Sequence, residues 1–177
     1  MPEAANSYWD FIEPYWDVFD IYNGPEGFES SISGAPRPVV LLYAAHFCQS
    51  EVHNGGFLQF FWNSTGVLAP EAIEGYSVIG MPTLAALLKE AAAALGSPYP
   101  REREDRWDAL LEASGHTSQE LEEVFKRQEN RYLAFAEATK ALPFDSLNRQ
   151  FWEAAKTENG GFQKAATRFA NVSQLLQ

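Results

Sequence analysis

The fold is decided by residues 37–56, which read RPVVLLYAAHFCQSEVHNGG. Apolar side chains occupy nearly every position from Val39 to Phe47 instead of one stripe, a pattern typical of a helix that other helices bury on all sides. The run ends at Asn54-Gly55-Gly56, residues that tolerate the left-handed backbone conformation at the C-terminus of a helix. The stretch therefore predicts a central buried helix over residues 37–53, followed by a short helix over residues 57–62.

The flanking sequence is also predicted to be helical. Pro and Gly divide it at intervals typical of helices joined by short loops, and no stretch shows the sustained alternation of strands. We expect helices over residues 7–22, from 70 onward, and over 83–95, 107–113, 118–142 and 146–156, with a capping box in Thr117-Ser-Gln-Glu120. A last helix is expected after Asn159-Gly160-Gly161-Phe162. The sequence predicts an all-α fold: one domain, 1–177, of eight or nine helices, with an acidic segment over residues 1–30 and a candidate subdomain linker over residues 97–106.

The composition limits the function and the compartment. The 177 residues include 24 Asp and Glu against 13 Lys and Arg, a formal net charge of −11. Direct nucleic-acid binding needs a concentrated basic surface, so we expect none. The single cysteine, Cys48, lies in an apolar run where a buried thiol is expected, and it has no second cysteine with which to form an internal disulfide. No apolar run is long enough to cross a bilayer and no targeting segment is evident, so we expect a cytoplasmic protein without membrane contact.

The negative charge is concentrated in the first half of the chain. Residues 1–100 hold eleven acids but only Arg37 and Lys89 as bases, whereas residues 101–177 hold thirteen acids and eleven bases. From Glu3 to Glu29 there are seven carboxylates and no base. The first half therefore generates most of the electrostatic field.

Four of these carboxylates, those of Asp10, Glu13, Asp17 and Asp20, recur at helical spacing. On one helix they would form a stripe about 15 Å long in steps of roughly 5 Å, of the same order as the charge spacing along a nucleic-acid strand. An apolar face would lie opposite and hold the stripe outward; it comprises Tyr8, Phe11, Ile12, Tyr15, Val18, Phe19 and Tyr22. Pro14 lies within the row and is expected to kink the helix or to start a new one, which would turn the stripe into a patch.

Such a surface suits a basic protein partner, because a protein that grips phosphates can also grip regularly placed carboxylates. The alternative is that these acids form the solvated face of an amphipathic helix. The residues predicted to bind the partner are Asp10, Glu13, Asp17, Asp20, Glu26 and Glu29. The secondary candidates are Glu3, Glu71 and Glu74, and we expect Glu71 and Glu74 to be exposed.

The segment from Glu51 to Gly66 resembles the signature of a family of bacterial all-α domains that includes an acidic DNA-mimic protein. The matching positions are Glu51, Asn54, Gly55, Gly56, Phe57, Gln59, Phe60, Phe61, Asn63 and Gly66. The resemblance extends more loosely over about residues 30–170. It implies an all-α homodimer and an inhibitory role in which the acidic surface occupies the DNA-binding face of a helix-turn-helix regulator. Since the signature consists of fold-determining residues, it implies the fold more strongly than the mimicry.

The signature residues themselves favour a structural role. Asn54-Gly55-Gly56 allows the chain to reverse, three phenylalanines return to the core, and the side chains of Glu51, Gln59 and Asn63 are expected to bond free backbone groups of the loop. The alternative is a ligand cradle formed by the glycine amides, although the Lys and Ser/Thr of a phosphate-binding loop are missing.

Two further hypotheses come from other functional classes. One is an interaction or immunity module that recognises a protein by shape through exposed aromatic side chains. The other is a small-molecule enzyme with a site around Glu51, His53 and Asn54. No metal or cofactor is predicted, because His46 and His53 are about 10.5 Å apart along one helix and the common nucleotide-binding and hydrolase motifs are missing.

Overall fold

A computed structural model describes residues 7–127 and 130–175 of the chain. Within these two ranges, ten α-helices follow one another: α1 Trp9–Ile12, α2 Gly24–Ser31, α3 Arg37–Trp62, α4 Ala69–Val78, α5 Pro82–Ala93, α6 Arg103–Ala113, α7 Ser118–Arg127, α8 Arg131–Ala138, α9 Phe144–Thr157 and α10 Phe162–Leu175. Short 3₁₀ helices lie at Glu13–Tyr15, Ser64–Leu68 and Glu158–Gly160. The described residues contain no strand and share one hydrophobic core, so the predicted all-α single domain is confirmed.

Helix α3 is the centre of the fold, as the apolar run predicts. Every side chain from Val39 to Ala45 is buried. Helices α1, α4, α6, α9 and α10 and the 3₁₀ helix Ser64–Leu68 all contact α3. A helix that is apolar around its whole circumference needs this many neighbours to remove its surface from water.

The helix breaks where the sequence predicts. Gly55 and Gly56 leave the helical conformation, Gly56 with φ of 77°, and residues 57–62 continue as a second helical segment after the kink. A Cβ atom on Gly56 would lie 2.3 Å from the side-chain Nδ2 of Asn148 in α9. Glycine is therefore required at this position both for the positive φ and for the close approach of α9.

The N-terminal segment differs from the single helix predicted over residues 7–22. The α-helix lasts only from Trp9 to Ile12 and tightens into the 3₁₀ helix at Pro14, after which residues 16–23 form turns and a loop. Pro14 has no N–H to bond the carbonyl of Asp10, so the helical ladder cannot continue. Helix α2, which follows, is not predicted; its signals are Asn23 before the helix, Pro25 in the first turn and Glu26 close behind.

The helix predicted over residues 118–142 is two helices. Asn130 has an extended backbone, and its side chain accepts the amide of Leu133 at 3.1 Å, which makes it the N-cap of α8. The capping box at the start of α7 is confirmed: the Thr117 amide donates to the Glu120 carboxylate at 2.8 Å, and the Glu120 amide donates to Thr117 Oγ1 at 3.3 Å.

Side chains of the residues before α10 form hydrogen bonds with the backbone of the turn between α4 and α5. Glu158 accepts the amides of Thr83 at 2.9 Å and Leu84 at 3.4 Å, so its carboxylate caps the N-terminus of α5. Asn159 Nδ2 donates to the carbonyl of Ile79 at 2.9 Å, just after α4. The second Asn-Gly-Gly-Phe tetrad, residues 159–162, therefore connects distant helix ends, whereas the first tetrad kinks a helix.

Tyr8 ties the N-terminal segment to the core and to the last helix. Its amide donates to Thr167 Oγ1 at 3.2 Å, and its ring lies edge-on to Phe162 with centroids 5.6 Å apart. Its hydroxyl is 2.8 Å from Nδ1 of His46 in α3, and burial lowers the pKa of His46 to about 4. The segment that carries the N-terminal carboxylates is thus held by both α3 and α10.

Residues 97–106, the candidate linker, pack against the core. The Tyr99 hydroxyl donates to the carbonyl of Gly66 at 2.8 Å, and Arg106 is 1% exposed. Within the described residues, no helix has both the length and the apolar character that crossing a membrane requires.

Candidate functional site

Three of the predicted carboxylates lie free on the surface of the N-terminal segment. Asp10 and Glu13 are one helical turn apart, in α1 and the following 3₁₀ helix, and Asp17 lies in the turn after it. All three are exposed, and none forms an ion pair with another described residue. The buried Phe11 and Ile12 orient this turn. These charges are available to a partner.

Asp20 is engaged in a turn. Its carboxylate accepts the amides of Tyr22 at 2.9 Å and Asn23 at 3.1 Å and the Asn23 side-chain amide at 2.7 Å. The Asn23 side chain and the Tyr22 amide lower the pKa of Asp20, so it is ionised at neutral pH. The Asp20 amide is bonded in turn to Ser31 Oγ at 2.8 Å. Asp20 therefore holds the loop 16–23 on α2 and also contributes charge.

The two acids of α2 differ in their surroundings. Glu26 is exposed and forms no ion pair with a described residue. The Glu29 side chain is 64% exposed and lies 3.8 Å from Nη1 of Arg101. Glu29 is thus already paired, loosely, with an arginine from the second half of the chain.

The expectation that Glu71 is exposed is wrong. Its side chain is 9% exposed and accepts Nη2 of Arg101 at 2.8 Å and Nη1 at 3.2 Å. Glu71 lies in the first turn of α4 on the side that faces the core. Glu74, one turn later, is exposed, but it is paired with Arg37 of α3. Both carboxylates are compensated within the molecule.

The apolar underside of the segment is only partly as predicted. Tyr8, Phe11, Ile12 and Phe19 are buried, and Tyr15 is half-buried. Val18 is 55% exposed and Tyr22 is 79% exposed. The regular charge spacing of one continuous stripe does not form, because residues after Pro14 leave the helix and project according to the loop instead of the helical wheel.

Within the signature, Glu51 is the centre of a side-chain network. Its Oε2 accepts Gln59 Nε2 at 2.7 Å and Asn63 Nδ2 at 3.0 Å, and its Oε1 accepts Thr65 Oγ1 at 3.1 Å. The expectation that these side chains bond free backbone groups of the loop is wrong: Gln59 and Asn63 both donate to Glu51. The network bridges the kink, so it fixes the second segment of α3 on the first.

The phenylalanines of the signature return to the core as predicted. Phe57, Phe60 and Phe61 are fully buried. The amide of Phe57, which the kink frees, donates to Asn148 Oδ1 of α9 at 2.9 Å. A side chain of the same protein, Asn148, therefore occupies the amide that the kink frees.

The end of α3 is capped by side chains of α6 that sequence reasoning misses. Arg106 donates to the carbonyls of Phe61 at 3.0 Å and Asn63 at 2.8 Å, and the carbonyl of Trp62 accepts Arg103 Nε at 2.9 Å and Trp107 Nε1 at 3.0 Å. The last carbonyls of a helix have no partner in the helix, and cations are favourable there. The run of mixed charge from residue 101 to 106 is the one feature of the sequence that marks the segment supplying this cap.

Gly66 completes the signature by making room for this cap. A Cβ atom on Gly66 would lie 2.6 Å from Nε of Arg106. The glycine and the buried arginine therefore depend on each other.

Glu51 and His53, two of the candidate enzyme residues, are engaged in separate hydrogen bonds. Glu51 already accepts three hydrogen bonds, whereas His53 is exposed and bonds Gln49 one turn back in α3. Cys48 is fully buried, as predicted, and burial raises the pKa of its thiol to about 12. Among residues 7–127 and 130–175, no three His, Cys, Asp or Glu side chains are grouped so that they could hold a metal ion.

Comparison with known proteins identifies a family. Residues 33–172 match the family model described as DMP19-like protein. The matched range includes the signature but excludes Asp10 to Glu29. No curated protein and no solved structure matches the chain.

Proposed function

We propose that this chain, which belongs to the DMP19-like protein family, acts as an acidic DNA mimic: a binding protein without enzymatic activity that sequesters a basic DNA-binding protein such as a helix-turn-helix regulator. The family membership is consistent with a DNA mimic. The resemblance of the signature to a family that includes such a mimic supports the same function.

The observation that carries the proposal is a group of exposed carboxylates, those of Asp10, Glu13, Asp17 and Glu26, that form no ion pair with any described residue. Together with the ionised Asp20, these acids lie in a stretch that contains no base. They lie outside the range matched by the family, so the proposal needs both observations: the family supplies the scaffold, and this segment supplies the charge.

The proposed mechanism is electrostatic. Long-range attraction between the acidic segment and a basic DNA-binding face accelerates encounter. After docking, each exposed carboxylate paired with Lys or Arg adds less than about 1 kcal/mol, so several must act together. Glu71 and Glu74 contribute little, because each already holds an arginine of this chain.

We also propose that two copies form a homodimer through α4 and α10. Val78 and Val172 line a shallow groove of about 270 Å³ together with Phe169, and they are 46% and 57% exposed. Leu175 at the end of α10 is 68% exposed. Exposed apolar side chains grouped in this way are typical of an interface.

A second candidate is favoured by the exposed aromatic side chains of the loop 16–23. Trp16 is 38% exposed and Tyr22 is 79% exposed. Aromatic residues are enriched in protein interfaces, so a module that recognises its partner by shape would use the same surface with little dependence on charge.

Affinity capture from a host-cell lysate tests the mimic function. The acidic variant combines Asp10→Asn, Glu13→Gln, Asp17→Asn and Glu26→Gln, and it spares Asp20 because that carboxylate holds the loop. The control removes the same charge elsewhere, through Glu90→Gln, Glu112→Gln, Asp145→Asn and Glu153→Gln. We expect the wild type and the control to retain a DNA-binding protein that the acidic variant loses. Equal retention by all three would contradict the proposal.

A further inference from the structure

A groove of about 400 Å³ lies between the loop 16–23 and α3. Its aromatic lining comes from both elements: Trp16, Phe19 and Tyr22 from the loop, and Tyr43 and Phe47 from α3. This volume is at the lower end of the range for small-ligand pockets. The groove is therefore large enough to take one side-chain group of a partner.

The rings form a fixed aromatic surface. Trp16 stacks on Phe47 with centroids 4.7 Å apart and an interplanar angle of 23°. Tyr43 is 4.7 Å from Phe47 and lies edge-on to Phe19 at 4.9 Å. Because Trp16, Phe19, Tyr43 and Phe47 each pack on another ring, the aromatic surface is pre-organised. Of the five aromatic side chains that line the groove, only Trp16 and Tyr22 are substantially exposed.

The groove also carries uncompensated negative charge. Asp17 and Asp20 line it, and no Lys or Arg is found among its described lining residues. Asp17 is exposed without an ion pair to the described chain, and Asp20 is held ionised by the turn.

Tyr43 contributes a polar group to the groove. The residue lines the groove and is 1% exposed. Burial raises the pKa of Tyr43, with smaller contributions from Tyr22 and Asp17, so the hydroxyl stays protonated and its oxygen can accept a hydrogen bond.

We propose that this groove receives an arginine side chain of the basic partner. The guanidinium plane stacks on the exposed Trp16 and Tyr22, and its N–H groups donate to the carboxylate of Asp17 and to the hydroxyl of Tyr43. Arginine suits the site better than lysine, because a planar cation stacks on aromatic rings and presents several donors in one plane. The inference rests on the proposed function for the identity of the partner. The bound arginine would add a specific contact to the long-range electrostatic attraction.

The groove is tested with a probe that needs no partner. N-acetyl-arginine amide is titrated at millimolar concentrations into ¹⁵N-labelled protein, and the backbone amides of residues 16–23 and the Trp16 indole N–H are followed by NMR. The citrulline analogue has the same shape without the charge. We expect saturable shifts at these positions for arginine, at least tenfold weaker binding of citrulline, and intermediate binding of the lysine analogue.

Variants assign the binding to the groove. Trp16→Leu, Asp17→Asn and Tyr22→Ala should each weaken the arginine probe severalfold, and Glu153→Gln, an exposed acid on α9, should leave it unchanged. Tyr22 is so exposed that its replacement spares the fold, which circular dichroism verifies for every variant. Equal binding of citrulline and arginine, shifts confined to other surfaces, or no saturation would overturn the proposal.

The two proposals can fail separately. Arginine binding in the groove without capture of a DNA-binding protein leaves the site in place and contradicts the mimic function. The opposite result is that the wild type and Trp16→Leu capture the same protein and that the arginine probe causes no shifts. This result contradicts arginine binding in the groove but is compatible with the mimic function.

Discussion

Arg101 and Glu71 form a two-pronged ion pair, with both terminal nitrogens of the guanidinium donating to the carboxylate at 2.8 and 3.2 Å. Arg101 also donates to the carbonyl of Val67 at 2.9 Å and lies over the ring of Phe28. The pair joins α4 to the segment before α6, so a residue expected on the interaction surface instead stabilises the fold.

Replacing Glu71 by Gln should lower the free energy of unfolding by about 2–3 kcal/mol, because it removes the close counter-charge of a half-buried guanidinium and leaves only the exposed Glu29, 3.8 Å away. Urea denaturation measures the change. Glu74→Gln, which removes the exposed partner of Arg37, is the matched control and should cost less than about 1 kcal/mol. Equal losses in the two variants would contradict this view of the Arg101 pair.

The Glu51 network gives a second stability prediction. Glu51→Gln replaces one accepting oxygen by an NH₂ group that faces donors from Gln59, Asn63 or Thr65, so we expect a loss of about 1–3 kcal/mol. Thermal and urea unfolding report the loss, and Glu90→Gln on the exposed face of α5 serves as the control. A Glu51 variant as stable as that control would mean that the network is dispensable.

Salt should weaken partner binding steeply. Raising the ionic strength from about 0.01 to 0.15 M shortens the screening length from about 30 to 8 Å, which removes most of the attraction between exposed charges. Titration calorimetry against the captured partner measures the affinity and surface plasmon resonance measures the rates, and we expect the loss to appear mainly as a slower association rate. An affinity that salt leaves unchanged would favour recognition by shape.

Acid should destabilise the fold through His46. Burial lowers the pKa of His46 from 6.5 to about 4. Between these values the unfolded chain binds a proton that the folded chain excludes, so stability is full above pH of about 6.5 and falls by up to about 3 kcal/mol as the pH drops toward 4. Urea unfolding across this range should show a shallower decline for His46→Gln than for the wild type. Parallel curves would assign the decline to other groups.

The proposed dimer contact is open to a direct test. Val172→Asp places a charge in the apolar groove between α4 and α10, and light scattering after gel filtration should then give the mass of one chain instead of two. Leu133→Asp, at a residue 58% exposed on α8, is the matched control and should leave the dimer intact. A wild-type protein that is monomeric at micromolar concentration would remove the dimer proposal.

Much of the fold is predictable from local sequence. The apolar run makes α3 a buried helix, Gly55-Gly56 places its kink, and Thr117 with Glu120 marks the start of α7. Each of these features depends on residues within a few positions of one another. The missed helix α2 is rich in Gly and Ser, so its capping residues are a stronger signal than its own helix propensity.

The candidate site was less predictable, because it depends on contacts between distant residues. No periodicity relates Arg106 to the carbonyl of Phe61 or Arg101 to Glu71, so the run of mixed charge over residues 101–106 does not reveal which groups its arginines contact inside the fold. Pro14 marks the end of the helical stripe, but the course of the loop beyond it is set by Ser31 of α2.

The contacts of Tyr8 have a consequence for the order in which the protein is completed. Its amide, its ring and its hydroxyl are held by Thr167, Phe162 and His46, and two of these belong to the final helix. During translation, the N-terminal carboxylates leave the ribosome before α10, which helps to orient them, is synthesised. A nascent chain therefore carries these carboxylates before α10 can hold the segment in place. Removing α10 should abolish partner binding, although α10 is distant from the carboxylates in the sequence.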